Sequence, residues 1–136
     1  MRTARRAAQA NLPSEGIETV LVVGDLGPIR DATVQVLRRG GYRVLEASGA
    51  LDARRLADSH RTIRLLVVDF LTPETAGLEL ARWFQIRFPD IKVLITTDSL
   101  WELLCQTGEH ELFGVLVKPF SDRELRRMVQ RLVTDV

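Results

Sequence analysis

Short apolar runs that each end on a polar side chain are the feature that most narrows the choice of fold for this chain. Four such runs, rich in β-branched residues, lead to Asp25, Asp69, Thr97 and Lys118. In a parallel sheet with helical crossovers, ligands collect outside the carboxyl ends of the strands. Two carboxylates, a hydroxyl and an ammonium at four such ends predict one shared pocket suited to acyl phosphate chemistry.

The segments between the apolar runs have helical periodicity, and this alternation predicts βαβ units. Five units indicate an α/β fold, a flavodoxin-like doubly wound (βα)5 sandwich with a parallel five-stranded sheet in the order 2-1-3-4-5. That order makes strands one, three, four and five contiguous, and these strands carry the four polar residues. The predicted strands are Ile17–Val23, Tyr42–Glu46, Leu65–Val68, Lys92–Thr96 and Gly114–Val117. The predicted helices begin at Pro28, Ala50, Ala76, Ser99 and Ser121.

Local signals support several of these helices. Glu102 follows Ser99, and Glu124 follows Ser121, at the spacing of a capping box. The apolar spacing predicts which residues the first and last helices bury. These residues are Ile29, Ala32, Val36 and Leu37 in the first helix, and Leu125, Met128, Val129 and Leu132 in the last.

Composition bounds the class of protein. With 136 residues, 46% hydrophobic and 27% charged, the chain suits one soluble globular domain. A net charge of +1 gives no general reason to bind nucleic acid or an anionic membrane. One cysteine, Cys105, excludes an internal disulfide framework. No apolar run reaches the roughly 18 residues of a membrane span, and we expect a cytoplasmic protein.

The N-terminal segment differs from the rest. Residues 1–16 hold Arg2, Arg5 and Arg6 among alanines, followed by breaker residues. We expect a flexible basic arm, either a contact arm or a solvated tail, followed by a single domain over residues 17–136.

Four motifs in this order resemble the receiver domain of bacterial response regulators, across roughly residues 17–134. They are Val22-Val23-Gly24-Asp25, Val68-Asp69 followed by Pro73 and Gly77, Thr97, and Lys118-Pro119-Phe120. The stretch from Gly41 to Ala47 looks most like stand-alone receivers and those of hybrid histidine kinases. Lys118-Pro119 also looks like the cis peptide of the family.

The resemblance implies a role for each site residue. Asp69 would accept a phosphoryl group from a histidine kinase or histidine phosphotransfer protein. Mg²⁺ would be held by Asp25, Asp69 and the backbone carbonyl of Leu71. Lys118 and Thr97 would contact the phosphoryl group. The protein would be a signalling receiver that assists its own phosphorylation and dephosphorylation, and not an enzyme.

Several positions depart from the family pattern. Gly24 stands where receivers usually have the first of two acidic residues, so we predict weakened Mg²⁺ binding without loss of phosphorylation. Leu26 also replaces a common acidic residue. Asp98, where a small residue is usual, either crowds and repels the phosphoryl group or is a loop residue before the Ser99 cap. Val115 replaces the aromatic residue that changes rotamer in many receivers.

Helix four is more apolar than one buried stripe requires, from Leu100 to Cys105. Trp101 therefore lies either in the core or in an exposed patch. The resemblance makes helix 4, strand 5 and helix 5 a candidate surface for a homodimer or another partner. His60, His110 and Cys105 have no spacing that indicates metal binding or catalysis.

The sequence also bears on two other classes of function. Gly24, Asp98 and Val115 motivate a degenerate pseudo-receiver that binds proteins without phosphorylation. An enzyme on the same fold is disfavoured, because Gly24-Asp25-Leu26-Gly27-Pro28 lacks GxGxxG spacing and a Walker lysine. A phosphatase would want a second acid where the chain has Leu71. After helix five only Val133–Val136 remain, so we expect signalling through protein contacts, with no nucleic acid contact.

Overall fold

Five strands alternate with five helices in this computed structural model, which describes residues 18–24, 28–70, 77–107 and 113–134. The strands are β1 (Thr19–Val23), β2 (Arg43–Ala47), β3 (Ile63–Asp69), β4 (Lys92–Thr97) and β5 (Gly114–Val117). The helices are α1 (Pro28–Arg39), α2 (Ala50–Ser59), α3 (Gly77–Arg87), α4 (Leu100–Gln106) and α5 (Asp122–Thr134). The predicted basic arm, residues 1–16, lies outside the described residues.

All neighbouring strands are parallel, in the order β2-β1-β3-β4-β5, which confirms the predicted topology. Val23 of β1 pairs with Val68 of β3, and Asp69 pairs with Thr96 of β4. Thr97 pairs with Val117 of β5. This register brings the carboxyl ends of β1, β3, β4 and β5 to the same edge of the sheet.

Two hydrophobic cores lie on opposite faces of the sheet. Leu65 and Val67 of β3 pack with α1 and α5, whereas Leu66 and Val68 pack with α2, α3 and α4. Because side chains alternate along a strand, Asp69 belongs to the face of Leu65 and Val67. Its carboxylate therefore leaves the end of β3 on the side of α1 and α5.

The helices bury most of the predicted apolar residues. In α5, Leu125 and Val129 are buried, and Met128 and Leu132 are partly buried against the same core. In α1, Val36 and Leu37 are buried with Val34, and Ala32 is exposed. The prediction for Ala32 was therefore wrong, because Val34 takes the inward position one turn before Leu37. The side chain of Ile29 lies outside the described residues.

The two expected capping boxes differ in the structure. In α5 both bonds form, since the Ser121 amide donates to Glu124 Oε1 and the Glu124 amide to Ser121 Oγ, each at 3.0 Å. The Ser121 amide and hydroxyl hold the pKa of Glu124 below its usual value. In α4 the Glu102 amide donates to Ser99 Oγ at 3.2 Å, but the Ser99 amide donates to Thr97 Oγ1. The second bond of that box is thus replaced by one from the sheet.

Gly77, the first residue of α3, permits a close approach to the end of β3. A Cβ built there would overlap the carbonyl oxygen of Asp69 and lie 3.1 Å from the Cα of Phe70. Only glycine fits without displacing backbone atoms. The start of α3 is therefore packed directly against the residue that carries the central carboxylate.

Within the described ranges, no helix combines the length and hydropathy that crossing a bilayer requires.

Candidate functional site

Asp69 and Lys118 form the central contact of the site. Asp69 is the last residue of β3, and Lys118 directly follows β5. The Lys118 Nζ atom lies 2.6 Å from Asp69 Oδ2, and the two side chains are 20% and 25% exposed. A charge-assisted hydrogen bond of this length, partly shielded from water, holds the ammonium against the carboxylate. The sequence prediction that these groups share one pocket agrees with this contact.

Thr97 lies at the end of β4, between the strands that carry Asp69 and Lys118, and is fully buried. The Lys118 amide donates to the Thr97 carbonyl at 2.8 Å, so the ends of β4 and β5 are joined. The Thr97 hydroxyl accepts from the Ser99 amide at 3.0 Å and donates to the Ser99 carbonyl at 3.1 Å. Thr97 therefore ends the strand between those of Asp69 and Lys118, and its hydroxyl is bound to the turn leading into α4.

Asp98 provides a further carboxylate at the mouth of the site. Its Oδ1 atom lies 4.0 Å from Lys118 Nζ, and its side chain is 67% exposed. Lys118 is thus flanked by Asp69 and Asp98. Asp98 also directly precedes the Ser99 cap of α4. It is thus both a carboxylate near the site and a loop residue before the cap, as the two interpretations of its position require.

Gly24 lies at the end of β1, beside β3, and is buried. Its amide donates to the Ala47 carbonyl at 3.3 Å, and a Cβ built on it meets no atom within 4 Å. An aspartate at this position therefore fits the local backbone. Asp25 and Leu71, the other predicted metal ligands, lie outside the described residues. Within those ranges, no three His, Cys, Asp or Glu side chains are grouped as metal ligands.

Arg30 of α1 is a buried charge that sequence reasoning missed. Its Nη1 atom donates to the Gly24 carbonyl at 3.2 Å and to the Ala47 carbonyl at 3.5 Å. Its Nε atom lies 3.5 Å from Glu46 Oε1, an ion pair without a hydrogen bond, and its side chain is 9% exposed. The sequence could have predicted this position, because Arg30 precedes the buried Val34 by four residues and so lies on the same face of the helix.

A cavity of about 380 Å³ lies between α1 and α5, next to the site. Val36, Phe120 and Leu125 supply apolar walls, and Lys118 and Pro119 border it. The Lys118–Pro119 peptide bond is cis, as the resemblance implied. The backbone beside the site ammonium thus forms part of a concave apolar surface.

An apolar patch on α4 and β5 lies on the molecular surface. Trp101 is 76% exposed, so of its two expected positions the exposed patch is the correct one and the core is not. Leu100, Leu104 and Val117 are also exposed, and Leu103 is the residue of this helix that faces the core. The apolar run of α4 therefore has one side chain in the core and three on the exposed face of the helix.

Comparison with known families decides the class of protein to which this site belongs. The family model for the response regulator receiver domain matches residues 20–130. The chain belongs to this family. It is a receiver domain of the kind found in two-component systems, and its parallel sheet has the arrangement of CheY-like structures.

Curated relatives of this receiver domain have several architectures. It is 29% identical to sensor kinase CckA of Brucella abortus, over 87% of the chain and 13% of CckA. It is 31% identical to the phosphate regulon regulator PhoB of Pseudomonas aeruginosa, over 79% of the chain and 48% of PhoB. It is 29% identical to the chemotaxis protein CheY1 of Helicobacter pylori, over 82% and 93%. The chain thus spans under half of the first two relatives and nearly all of the third.

Solved structures show the same fold. CheY4 of Vibrio cholerae is 26% identical, with a TM-score of 0.75 over 85% of this chain and 98% of that one. A CheY-like receiver protein of Methanospirillum hungatei, 23% identical, has a TM-score of 0.77 over 86% and 94%. The second similarity is evidence for the fold alone.

Proposed function

We propose that this receiver domain accepts a phosphoryl group on Asp69 from a histidine kinase or histidine phosphotransfer protein. The 2.6 Å contact between Lys118 and Asp69 at the carboxyl edge of the sheet carries this proposal. A carboxylate is a weak nucleophile towards a phosphoryl group unless the negative charges that meet there are neutralised. The Lys118 ammonium is already placed to supply part of that neutralisation.

In the proposed step, an Asp69 oxygen forms a bond to phosphorus while the bond from phosphorus to the donor breaks. The electron pair of that bond leaves with the donor, so no redox partner is required. Lys118 stays beside the reacting atoms and pairs with a phosphoryl oxygen. At ~4 Å and an effective dielectric near 20, this attraction is about 4 kcal/mol.

Thr97 supports the same step from β4. Its hydroxyl would leave the Ser99 carbonyl and donate to a phosphoryl oxygen, a charge-assisted bond worth roughly 1.5 to 3 kcal/mol. Together with the Lys118 attraction, this gives about 5.5 to 7 kcal/mol before the loss of existing contacts, similar in size to the ~5.5 kcal/mol that moves a two-state equilibrium from 1:99 to 99:1. These two contacts would therefore supply much of the energy of a conformational switch.

The residues of the site fit a magnesium ion. Asp69 offers a hard oxygen ligand at the end of β3, and the paired strand β1 leads through Gly24 to Asp25. We propose that Asp69, Asp25 and the Leu71 carbonyl hold the ion. A bound magnesium ion would neutralise phosphoryl oxygens during transfer. Gly24 lacks the carboxylate that receivers usually have at this position, and we propose weaker magnesium binding for this reason.

Signalling by this domain would proceed through protein contacts in the cytoplasm, without enzymatic turnover of a separate substrate. The apolar cavity between α1 and α5 borders Lys118, which suits docking of a protein phosphodonor. The exposed patch on α4 and β5 offers a separate surface for an output partner or a homodimer. Trp101 is the largest exposed side chain of that patch.

Intact-mass measurement tests the proposal. The protein is incubated with acetyl phosphate and Mg²⁺, beside an Asp69→Asn variant of equal volume. We expect a mass increase of one phosphoryl group in the wild type only. An adduct of the same yield in Asp69→Asn would place the phosphoryl group elsewhere and overturn the assignment.

A degenerate pseudo-receiver is the second candidate, favoured by the missing carboxylate at Gly24. In that case no Asp69-dependent adduct forms with either acetyl phosphate or a cognate kinase. Partner binding measured by calorimetry would then be the same for the wild type and Asp69→Asn. Binding that changes with phosphorylation excludes this candidate.

A further inference from the structure

Lys118 lies between two carboxylates in the unphosphorylated domain. Asp69 Oδ2 is 2.6 Å from the ammonium, and Asp98 Oδ1 is 4.0 Å from it. The Asp69 side chain is 25% exposed and that of Asp98 is 67% exposed. Asp98 therefore approaches Lys118 from the solvent side, the direction from which a phosphoryl donor must enter.

The backbone fixes the position of Asp98. The residues on either side, Thr97 and Ser99, are joined by two hydrogen bonds between the Thr97 hydroxyl and the Ser99 amide and carbonyl. Ser99 also caps α4 by accepting from the Glu102 amide. Since Ser99 caps the N-terminus of α4, the helix does not need the Asp98 carboxylate as a cap.

We propose that Asp98 is an electrostatic brake on the phosphorylation of Asp69, an inference that rests on the proposed function. In the unphosphorylated domain Asp98 competes for the ammonium of Lys118. After transfer, the phosphoryl group brings about two negative charges to the same ammonium, and Asp98 repels them. The carboxylate takes part in no bond making or breaking. It lowers the rate of phosphoryl entry and shortens the lifetime of the acyl phosphate.

Asp98 and Gly24 each change the charge around Asp69. Gly24 removes a carboxylate on the β1 side of Asp69, and Asp98 adds one on the β4 side. The first change weakens metal binding, and the second opposes the incoming phosphoryl group. Both changes act in the same direction, so the domain is set for a low phosphorylated fraction at rest.

Two variants of Asp98 separate charge from crowding. Asp98→Asn removes the charge at constant volume, and Asp98→Ala removes both charge and volume. Glu102→Gln is the matched control, because it removes one exposed carboxylate from the same segment without a contact to Lys118. Initial rates of phosphorylation by acetyl phosphate and first-order decay of the adduct are measured by intact mass at low and high salt.

We expect Asp98→Asn and Asp98→Ala to be phosphorylated roughly 1.5- to fivefold faster than the wild type at low salt. The adduct should decay more slowly, and Glu102→Gln should match the wild type. The rate difference should shrink between about 0.1 M and 1 M salt, as the Debye length falls from ~10 Å to ~3 Å.

Each contrary result has a distinct meaning. A wild type that is phosphorylated on Asp69 at the same rate as Asp98→Asn overturns the brake and leaves the proposed function standing. Acceleration in Asp98→Ala alone indicates crowding and also overturns it. If neither the wild type nor Asp98→Asn forms an adduct, the proposed function fails and the brake fails with it.

Discussion

The ammonium of Lys118 reaches across strand β4 to contact the carboxylate of Asp69, at 2.6 Å. Neighbouring strands are about 4.8 Å apart, so β3 and β5 are separated by roughly twice that spacing. Among the common side chains, the long and flexible one of lysine carries a point charge over this distance. The pair therefore joins residues 49 positions apart in the chain through a single side chain.

Replacing Lys118 with glutamine should slow phosphorylation of Asp69. The glutamine side chain keeps a hydrogen-bond donor but has no charge. The loss of charge removes at least about 1.4 kcal/mol of electrostatic stabilisation of the transition state, which is roughly tenfold in rate. Lys92→Gln is the control, because Lys92 begins β4 at the opposite edge of the sheet. Intact-mass kinetics with acetyl phosphate measure both. Equal rates in the two variants would exclude a role for the Lys118 charge.

Gly24→Asp should strengthen magnesium binding. A built Cβ at this position meets no atom within 4 Å, so the new carboxylate adds a ligand or an outer hydrogen-bond partner without displacing the backbone. We expect half-saturation of phosphorylation at a roughly tenfold lower Mg²⁺ concentration. Gly24→Asn controls for volume. A wild type that saturates as readily as Gly24→Asp would refute weakened binding.

Gly77→Ala should destabilise the domain, because the added methyl group overlaps the carbonyl oxygen of Asp69. The expected loss in free energy of unfolding is about 1 to 3 kcal/mol. Gly24→Ala, which meets open space, should change it by less than about 0.5 kcal/mol. Urea unfolding followed by circular dichroism compares them, and equal losses would contradict the close approach of α3 to β3.

Arg30→Ala should destabilise the joint between β1 and β2. The guanidinium donates to the carbonyls of Gly24 and Ala47. The Ala47 carbonyl keeps the Gly24 amide as a donor, but the Gly24 carbonyl loses the guanidinium, and a buried acceptor left unpaired costs about 1 to 3 kcal/mol. Arg38→Ala is the matched control, since Arg38 also contacts Glu46 at 3.5 Å but is 48% exposed. The same urea assay should show a loss below about 0.5 kcal/mol for the control. Similar losses would show that burial of Arg30 contributes little.

Glu124 should make α5 sensitive to acid. Hydrogen bonds from the amide and hydroxyl of Ser121 lower its pKa below the usual 4.5 in the folded state. A lowered folded pKa gives stability that is present above pH 4.5 and is lost as the pH falls through the folded value. Glu124→Gln should weaken the dependence of unfolding free energy on pH below 4.5, compared with Glu102→Gln. Identical profiles for the two variants would contradict this.

Sequence reasoning predicted the strands and their order, because both follow from periodicity and from the rules of parallel sheets. The strand ends predicted that Asp69, Thr97 and Lys118 lie at the ends of adjacent strands β3, β4 and β5, and the structure places them there. Other features depend on competition between neighbours. Trp101 and Leu103 lie in one apolar run, and packing against the core decides which of them is exposed.

Hydrogen bonds that link separate elements were also beyond sequence patterns. The Ser99 and Glu102 spacing predicts a complete capping box, but the Thr97 hydroxyl takes the Ser99 amide. Arg30 follows helical spacing into the interior, yet a charged side chain is assigned to the surface unless its partners are known. Its partners on β1 and β2 come from distant parts of the sequence.

The double hydrogen bond between Thr97 and Ser99 has a mechanical consequence. The hydroxyl of the residue that ends β4 also restrains the turn leading into α4. If that hydroxyl donates to a new oxygen, Ser99, the N-terminal cap of α4, loses one of its two hydrogen bonds to the sheet. Trp101 lies two residues further along, so a rotation about one threonine bond would be transmitted to the outer surface of the domain.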